Sequence, residues 1–127
     1  MLRIIVFAAI VALCVGGCTT RPVRNVENQP VVTAGKAATM EDVERAIMRA
    51  GQGLGWVMTP VKPGVVTGRL ELRTHIAVVD ITYDTRAFSI RYKDSTNLDY
   101  GNGNIHKNYN GWIDNLEREI RANLLRT

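Results

Sequence analysis

Between residues 56 and 93 the chain carries four runs of strand character, joined by connections too short to hold anything but a reversal of direction. Residues 65–73 place Val66, Gly68, Leu70 and Leu72 on one side and Thr67, Arg69, Glu71 and Arg73 on the other. Residues 75–83 place Ala77, Val79, Ile81 and Tyr83 together, opposite Ile76, Val78, Asp80 and Thr82. Phe88, Ile90 and Tyr92 then alternate with Ala87, Ser89, Arg91 and Lys93. A period of two is the repeat of a pleated strand, in which successive side chains face opposite ways. The first run, Trp56 to Thr59, is shorter and stops at Pro60. The links Arg73-Thr74 and Asp84-Thr85-Arg86 have hairpin length, so consecutive antiparallel pairing follows.

A helical period flanks these runs on both sides. Thr39 precedes Met40-Glu41-Asp42, an N-cap followed by acids that favour the positive end of the helix dipole. Val43, Ala46, Ile47 and Ala50 recur at helical spacing, which predicts a helix over 40–51 with Glu41 facing Arg45. Gly51, Gly53 and Gly55 supply its end. A second helix is expected over 105–125 with Asn104 as its cap. Its stripe is Ile105, Tyr109, Trp112, Ile113, Leu116, Ile120 and Leu124, with Asp114 facing Arg118 and Glu117 facing Arg121. Gly111 weakens it and is expected to pack closely on the sheet. Two helices with one apolar stripe each, and a sheet with one strongly apolar face, predict an α+β two-layer sandwich. The expected form is a four-stranded antiparallel sheet with both helices on one face, in the order α-β-β-β-β-α.

The N-terminus reads as an export signal. Met-Leu-Arg, an apolar run from Ile4 to Cys14 and the small residues Gly16-Gly17 give a leader over 1–17. The run falls short of the roughly 20 apolar residues that span a bilayer. Val15-Gly16-Gly17-Cys18 resembles a bacterial lipobox, which implies lipidation of Cys18 with several acyl chains and hence a stable membrane anchor. Thr19 follows where an inner-membrane lipoprotein would carry Asp. By that resemblance the expected location is the outer membrane, with the domain facing the periplasm. Cys14 would leave with the leader, so the mature domain keeps no free thiol and no cysteine for a disulfide or metal.

Residues 18–38 read as the lipidated cysteine and a flexible tether. The stretch holds Pro22 and Pro30, has no aromatics and shows no sustained periodicity. Extended, it would reach up to about 65 Å at roughly 3.3 Å per residue. Pairing of Val31-Val32 with a sheet edge is the lesser alternative. Residues 39–127 form the expected single α+β domain. Removing Arg3 with the leader leaves 15 basic residues against 12 acidic ones, dispersed and without a block, which gives no nucleic-acid footprint.

No motif commits the chain to a reaction. Gly51-Gln52-Gly53-Leu54-Gly55 follows a helix, the reverse of a phosphate-binding loop. His75 and His106 are the two histidines, too few for a zinc site, and no metal or other cofactor is expected. Ser95 with His106 is the sole nucleophile–base pairing, with no motif around it. The densest polar stretch runs over 92–110. Its candidate binding residues are Tyr92, Ser95, Asn97, Tyr100, His106 and Tyr109, a mixture of aromatic surface and adaptable hydrogen-bonding groups. The candidate protein-interaction face is the polar side of the sheet, where Ile76 and Val78 lie among charges that include Arg69 and Arg91.

Residues 92–116 carry Tyr92-Lys93-Asp94-Ser95, Asn97-Leu98, Ile105-His106, Tyr109-Asn110 and Trp112-Ile113-Asp114-Asn115-Leu116. This segment, with the lipobox, resembles small uncharacterised Gram-negative envelope lipoproteins. The resemblance implies anchoring and brings no assigned activity. The sequence thus leaves three expectations: a non-catalytic adapter or accessory module for an envelope protein assembly, a small-ligand or glycan binder using 92–110, and, third, a hydrolase built on Ser95 and His106.

Overall fold

The computed structural model describes residues 19–127. The leader at 1–17 and the expected lipidation of Cys18 lie outside the described residues. The first helix, α1 (Met40–Gly53), begins where the capping signal stands. Asp42 N–H donates to Thr39 Oγ1 at 3.1 Å and Thr39 N–H donates to Asp42 Oδ2 at 3.0 Å, a reciprocal capping box. Those bonds hold the Asp42 carboxyl below the ordinary carboxylate range. Arg45 reaches Asp42 at 3.5 Å. Gly51 lies inside the helix, where a Cβ would come within 2.2 Å of Met58 Sδ.

The four expected strands form as β3 (Val57–Lys62), β4 (Val65–Leu72), β5 (His75–Tyr83) and β6 (Ala87–Thr96), each antiparallel to the next. Val66, Leu70, Ala77, Val79, Ile81, Tyr83, Phe88 and Ile90 are buried in one core with the apolar stripes of both helices. Leu72 departs from the expected face: in the last pair before the β4–β5 turn, it is 47% exposed.

The sheet has five strands, which corrects the expected four. Two strands lie in the stretch read as a tether, β1 (Thr20–Pro22) and β2 (Val26–Pro30). β2 pairs with β6, giving the order β2-β6-β5-β4-β3. Its register shifts between Val26 and Gln29, where Asn28 takes φ 49° and donates its N–H to Ser89 Oγ at 2.9 Å. Val31 N–H continues the contact to Arg86 O at 2.8 Å, the lesser alternative for this residue. Val26 is the one buried residue of β2, and Pro30 closes it at a sheet edge, where a missing N–H is tolerated. So little apolar content leaves no periodicity to read.

The last helix also begins differently. Asn104, expected as its cap, opens the short strand β7 (Asn104–His106), which pairs with β1. Helix α2 (Lys107–Leu125) starts behind it, and His106 Nδ1 accepts from Asn108 N–H at 3.2 Å as the cap. Ile113, Leu116, Ile120 and Leu124 face the core as expected, with Trp112 half-buried. Gly111 is exposed, with nothing within 4 Å of a Cβ built there, so close packing does not explain it. Among the described residues no helix is long and apolar enough to cross a membrane.

A polar stripe on α2 holds the N-terminal strands. Lys107 N–H donates to Thr19 O at 2.9 Å. Asn110 accepts from Arg24 N–H at 3.0 Å and donates to Pro22 O at 2.9 Å. Arg24 then bridges Asp114 through Nε and Glu117 through Nη2, both at 2.6 Å. Glu117, only 8% exposed, also takes Arg121 at 2.7 Å, and Arg121 donates to Gln29. The expected pair of Glu117 with Arg121 forms, whereas Asp114 turns to Arg24 and not to Arg118. Spacings of four, three and four residues put Asn110, Asp114, Glu117 and Arg121 on one helical face.

Replacing Arg24 by Ala leaves the nearly buried Glu117 with Arg121 alone. The expected cost is about 1–2 kcal/mol in urea unfolding, less than for a fully buried pair because the arginine is half-exposed. Faster amide hydrogen exchange should be confined at first to residues 20–30. Gly111→Ala should instead stabilise the protein by up to about 1 kcal/mol, since the added methyl meets open space.

Candidate functional site

The polar stretch folds as the end of β6, a tight loop and β7. Asn97, Asp99 and Asn102 take positive φ (57°, 52° and 52°), followed by Gly103 at 76°. Asn and Asp tolerate this left-handed region better than other side chains, which lets the chain coil back within a few residues. Leu98 is buried beneath the loop and its carbonyl accepts His106 N–H at 2.8 Å.

The loop and the end of β6 form a cleft of about 680 Å³ lined by residues 92–95 and 97–100. Tyr92, Ser95, Asn97 and Tyr100 are therefore brought together as expected. The Tyr92 and Tyr100 rings stack at 4.1 Å and 18°, and Tyr100 stays 51% exposed, so its outer face is open. Tyr92 Oη and Ser95 Oγ share a hydrogen bond at 2.8 Å. Burial pushes the Tyr92 phenol above the ordinary tyrosine value, against the opposing pull of Ser95.

Two expected members do not line this cleft. Tyr109 is fully buried, edge-on to Tyr92 at 5.8 Å and 71°, and supports the platform from below. Its hydroxyl has no hydrogen-bond partner, and burial pushes it far above the usual tyrosine value. His106 lies to the side, its ring 6.4 Å from that of His75. Both histidines commit Nδ1 to neighbours, His75 to Asn97 O at 2.7 Å and His106 to the helix cap. Among the described residues no group of three or more metal-ligating side chains gathers, and no hydrogen bond joins Ser95 to His106. Lys93, Asp94, Leu98 and Asp99, which belong to the polar stretch over 92–110 but not to its six candidate binding residues, complete the lining. The run of Asn and Asp with glycine was their available signal, and it reads first as a turn.

The second candidate is the open face of the sheet. Across β4, β5 and β6, Arg69, Val78 and Asp94 form one row, with Glu71, Ile76 and Thr96 beside it. Ile76 and Val78 are half-buried, Arg69 and Arg91 exposed. The charges are paired within the face: Arg69 with Glu71 at 2.9 Å, Arg91 with Glu27 at 2.7 Å, Lys93 with Asp80 at 3.3 Å. Thr67 adds a hydroxyl bond to Asp80 at 3.0 Å. The Arg91 bond holds the Glu27 carboxyl below its ordinary range.

No family model, no curated protein and no solved structure matches this chain. The residues themselves therefore carry the functional argument.

Tyr109 yields a test of the platform. Its hydroxyl is still neutral in the folded state where the unfolded chain, with a phenol near pH 10, has released its proton. Folding stability therefore falls as pH rises above about 10. Tyr109→Phe should flatten that alkaline decline. At neutral pH it should change unfolding free energy by less than about 1 kcal/mol, since no hydrogen bond is lost.

Proposed function

We propose that this protein is a lipid-anchored, non-catalytic domain of the outer membrane. It faces the periplasm and serves as an adapter or accessory binding module for an envelope protein assembly. The anchor is Cys18, and the reading belongs with the small Gram-negative envelope lipoproteins that the lipobox and residues 92–116 resemble. The open sheet face carries the argument. Ile76 and Val78 form an apolar centre, and the guanidinium groups of Arg69 and Arg91 are already held by Glu71 and Glu27. A partner then meets ordered side chains and loses less conformational entropy on docking. Apolar centres with polar rims are the general anatomy of protein interfaces.

The exposed outer ring of Tyr100 favours a second reading, a small ring-shaped ligand or glycan stacked on the Tyr92–Tyr100 pair. It uses the same anchored domain and a different surface.

Photo-crosslinking in intact envelopes separates the two. A photoreactive residue at position 69 or 91 should give a discrete protein adduct that Val78→Asp abolishes without unfolding the domain. An adduct from position 100 or 106 alone would transfer the binding role to the loop cleft. The absence of any protein adduct from the sheet face would overturn the adapter reading.

A further inference from the structure

We infer that the end of the domain built by Thr19, the β6–β7 loop, the β4–β5 turn and the start of α2 lies directly against the phospholipid headgroup layer. This rests on the proposal that Cys18 carries the lipid, and it concerns what that lipid does to a domain folded in this way. Thr19 is one residue beyond Cys18, and its carbonyl already accepts Lys107 N–H at 2.9 Å. Thr20, Arg21 and Pro22 then pair in register with His106, Ile105 and Asn104, and Val23 N–H donates to Gly103 O at 2.9 Å. The chain is thus bonded to the domain from its first residue after the cysteine. One peptide unit covers about 3.8 Å between Cα atoms. The interfacial zone outside the hydrocarbon is itself roughly 5–8 Å deep on each side. Acyl chains on Cys18 leave no slack to lift this end clear of the headgroups.

The composition of this end suits that neighbour. Arg21, Arg73, Lys93 and Lys107 stand there against Glu71, Asp94 and Asp99, a small cationic excess that is reduced further because Lys93 is paired with Asp80 at 3.3 Å. Tyr100 presents an exposed ring with a polar tip, the amphipathic type that settles at a membrane–water interface. Thr74 and His75 join the same end through Asn97 and His106. The opposite end is far away. β5, of nine residues, spans about 30 Å at 3.4 Å per residue, and α2, of 19 residues, about 28 Å. β5 leads to the β5–β6 turn, where Arg86 O meets Val31, and the end of α2 lies by the neighbouring Pro30 and Val32. The strands therefore project that turn away from the bilayer and present the open sheet face beside it.

The test uses the full chain, processed and purified with its lipid. It is reconstituted in vesicles of mixed phosphatidylethanolamine and phosphatidylglycerol, with one nitroxide at Lys107→Cys, Tyr100→Cys or Thr85→Cys. An acylated Cys18 offers no thiol to the label. Labels at 107 and 100 should become severalfold less accessible to a water-soluble nickel chelate than in an unlipidated Cys18→Ser protein made without residues 1–17, and so without the Cys14 thiol, while the label at 85 is unchanged. Mass spectrometry of the mature N-terminal peptide is read from the same sample. Acylated protein whose three labels stay equally accessible overturns the apposition and leaves the anchor standing. Absence of acyl mass on Cys18 overturns the anchor, and this inference with it.

Discussion

β5 is the strand on which the rest of the structure depends. It pairs with β4 over His75–Thr82 and with β6 over Ile76–Tyr83, and Ala77, Val79 and Ile81 on its inner side are completely buried. An antiparallel strand paired on both sides satisfies its backbone within the sheet, so its inner side chains can be wholly apolar. The two helices cover that face, and Ile47, Ile113, Leu116 and Ile120 meet it in one continuous core. Most polar groups are thereby displaced to the outer face, the loop beyond β6 and the outward sides of α1 and α2. These are the surfaces that remain for function.

A second constraint acts at the sheet edge. β2 contributes one buried side chain, so burial alone cannot hold it. Arg24, Asn110, Asp114, Glu117, Arg121 and Gln29 do so with directional contacts, several between charged groups. Charge-assisted hydrogen bonds are stronger and more specific than neutral ones, and Glu117 collects two of them where water is largely excluded. The N-terminal strands are fastened by polar geometry, in contrast to the apolar packing that fixes β5.

That contrast explains what was legible in the sequence. Alternation marked β4, β5 and β6, and the capping box marked the start of α1, because both are local patterns of residue type. β1 and β2 resemble a tether in sequence because Arg24, Asn28 and Gln29 find their partners on residues 61 to 93 positions away, a relation no local window contains. Asn104 resembles a helix cap, yet β1 draws it into a strand and hands the role to His106. The loop cleft was legible as a concentration of Tyr, Asn and Ser. The burial of Tyr109 beneath Tyr92 follows from tertiary packing that its helical position only hinted at. Arg69, Ile76, Val78 and Arg91 followed from alternation alone, whereas the ion pairs that order them required the fold.

The pairing of β1 with β7 also sets an order of events. Residues 19–30 are made early, yet every partner they use on α2 is among the last residues of the chain to appear. Closing so long a loop is entropically costly and comes late in folding. Under the proposed anchoring, the backbone following Cys18 stays unpaired until those partners have appeared, the state in which an enzyme that cuts or acylates there can grip it. Once α2 is complete, the same backbone is paired with β7 in the two-stranded sheet. The proposed modification at Cys18 would thus precede closure of the fold, an order set by the distance in sequence between β1 and its partners.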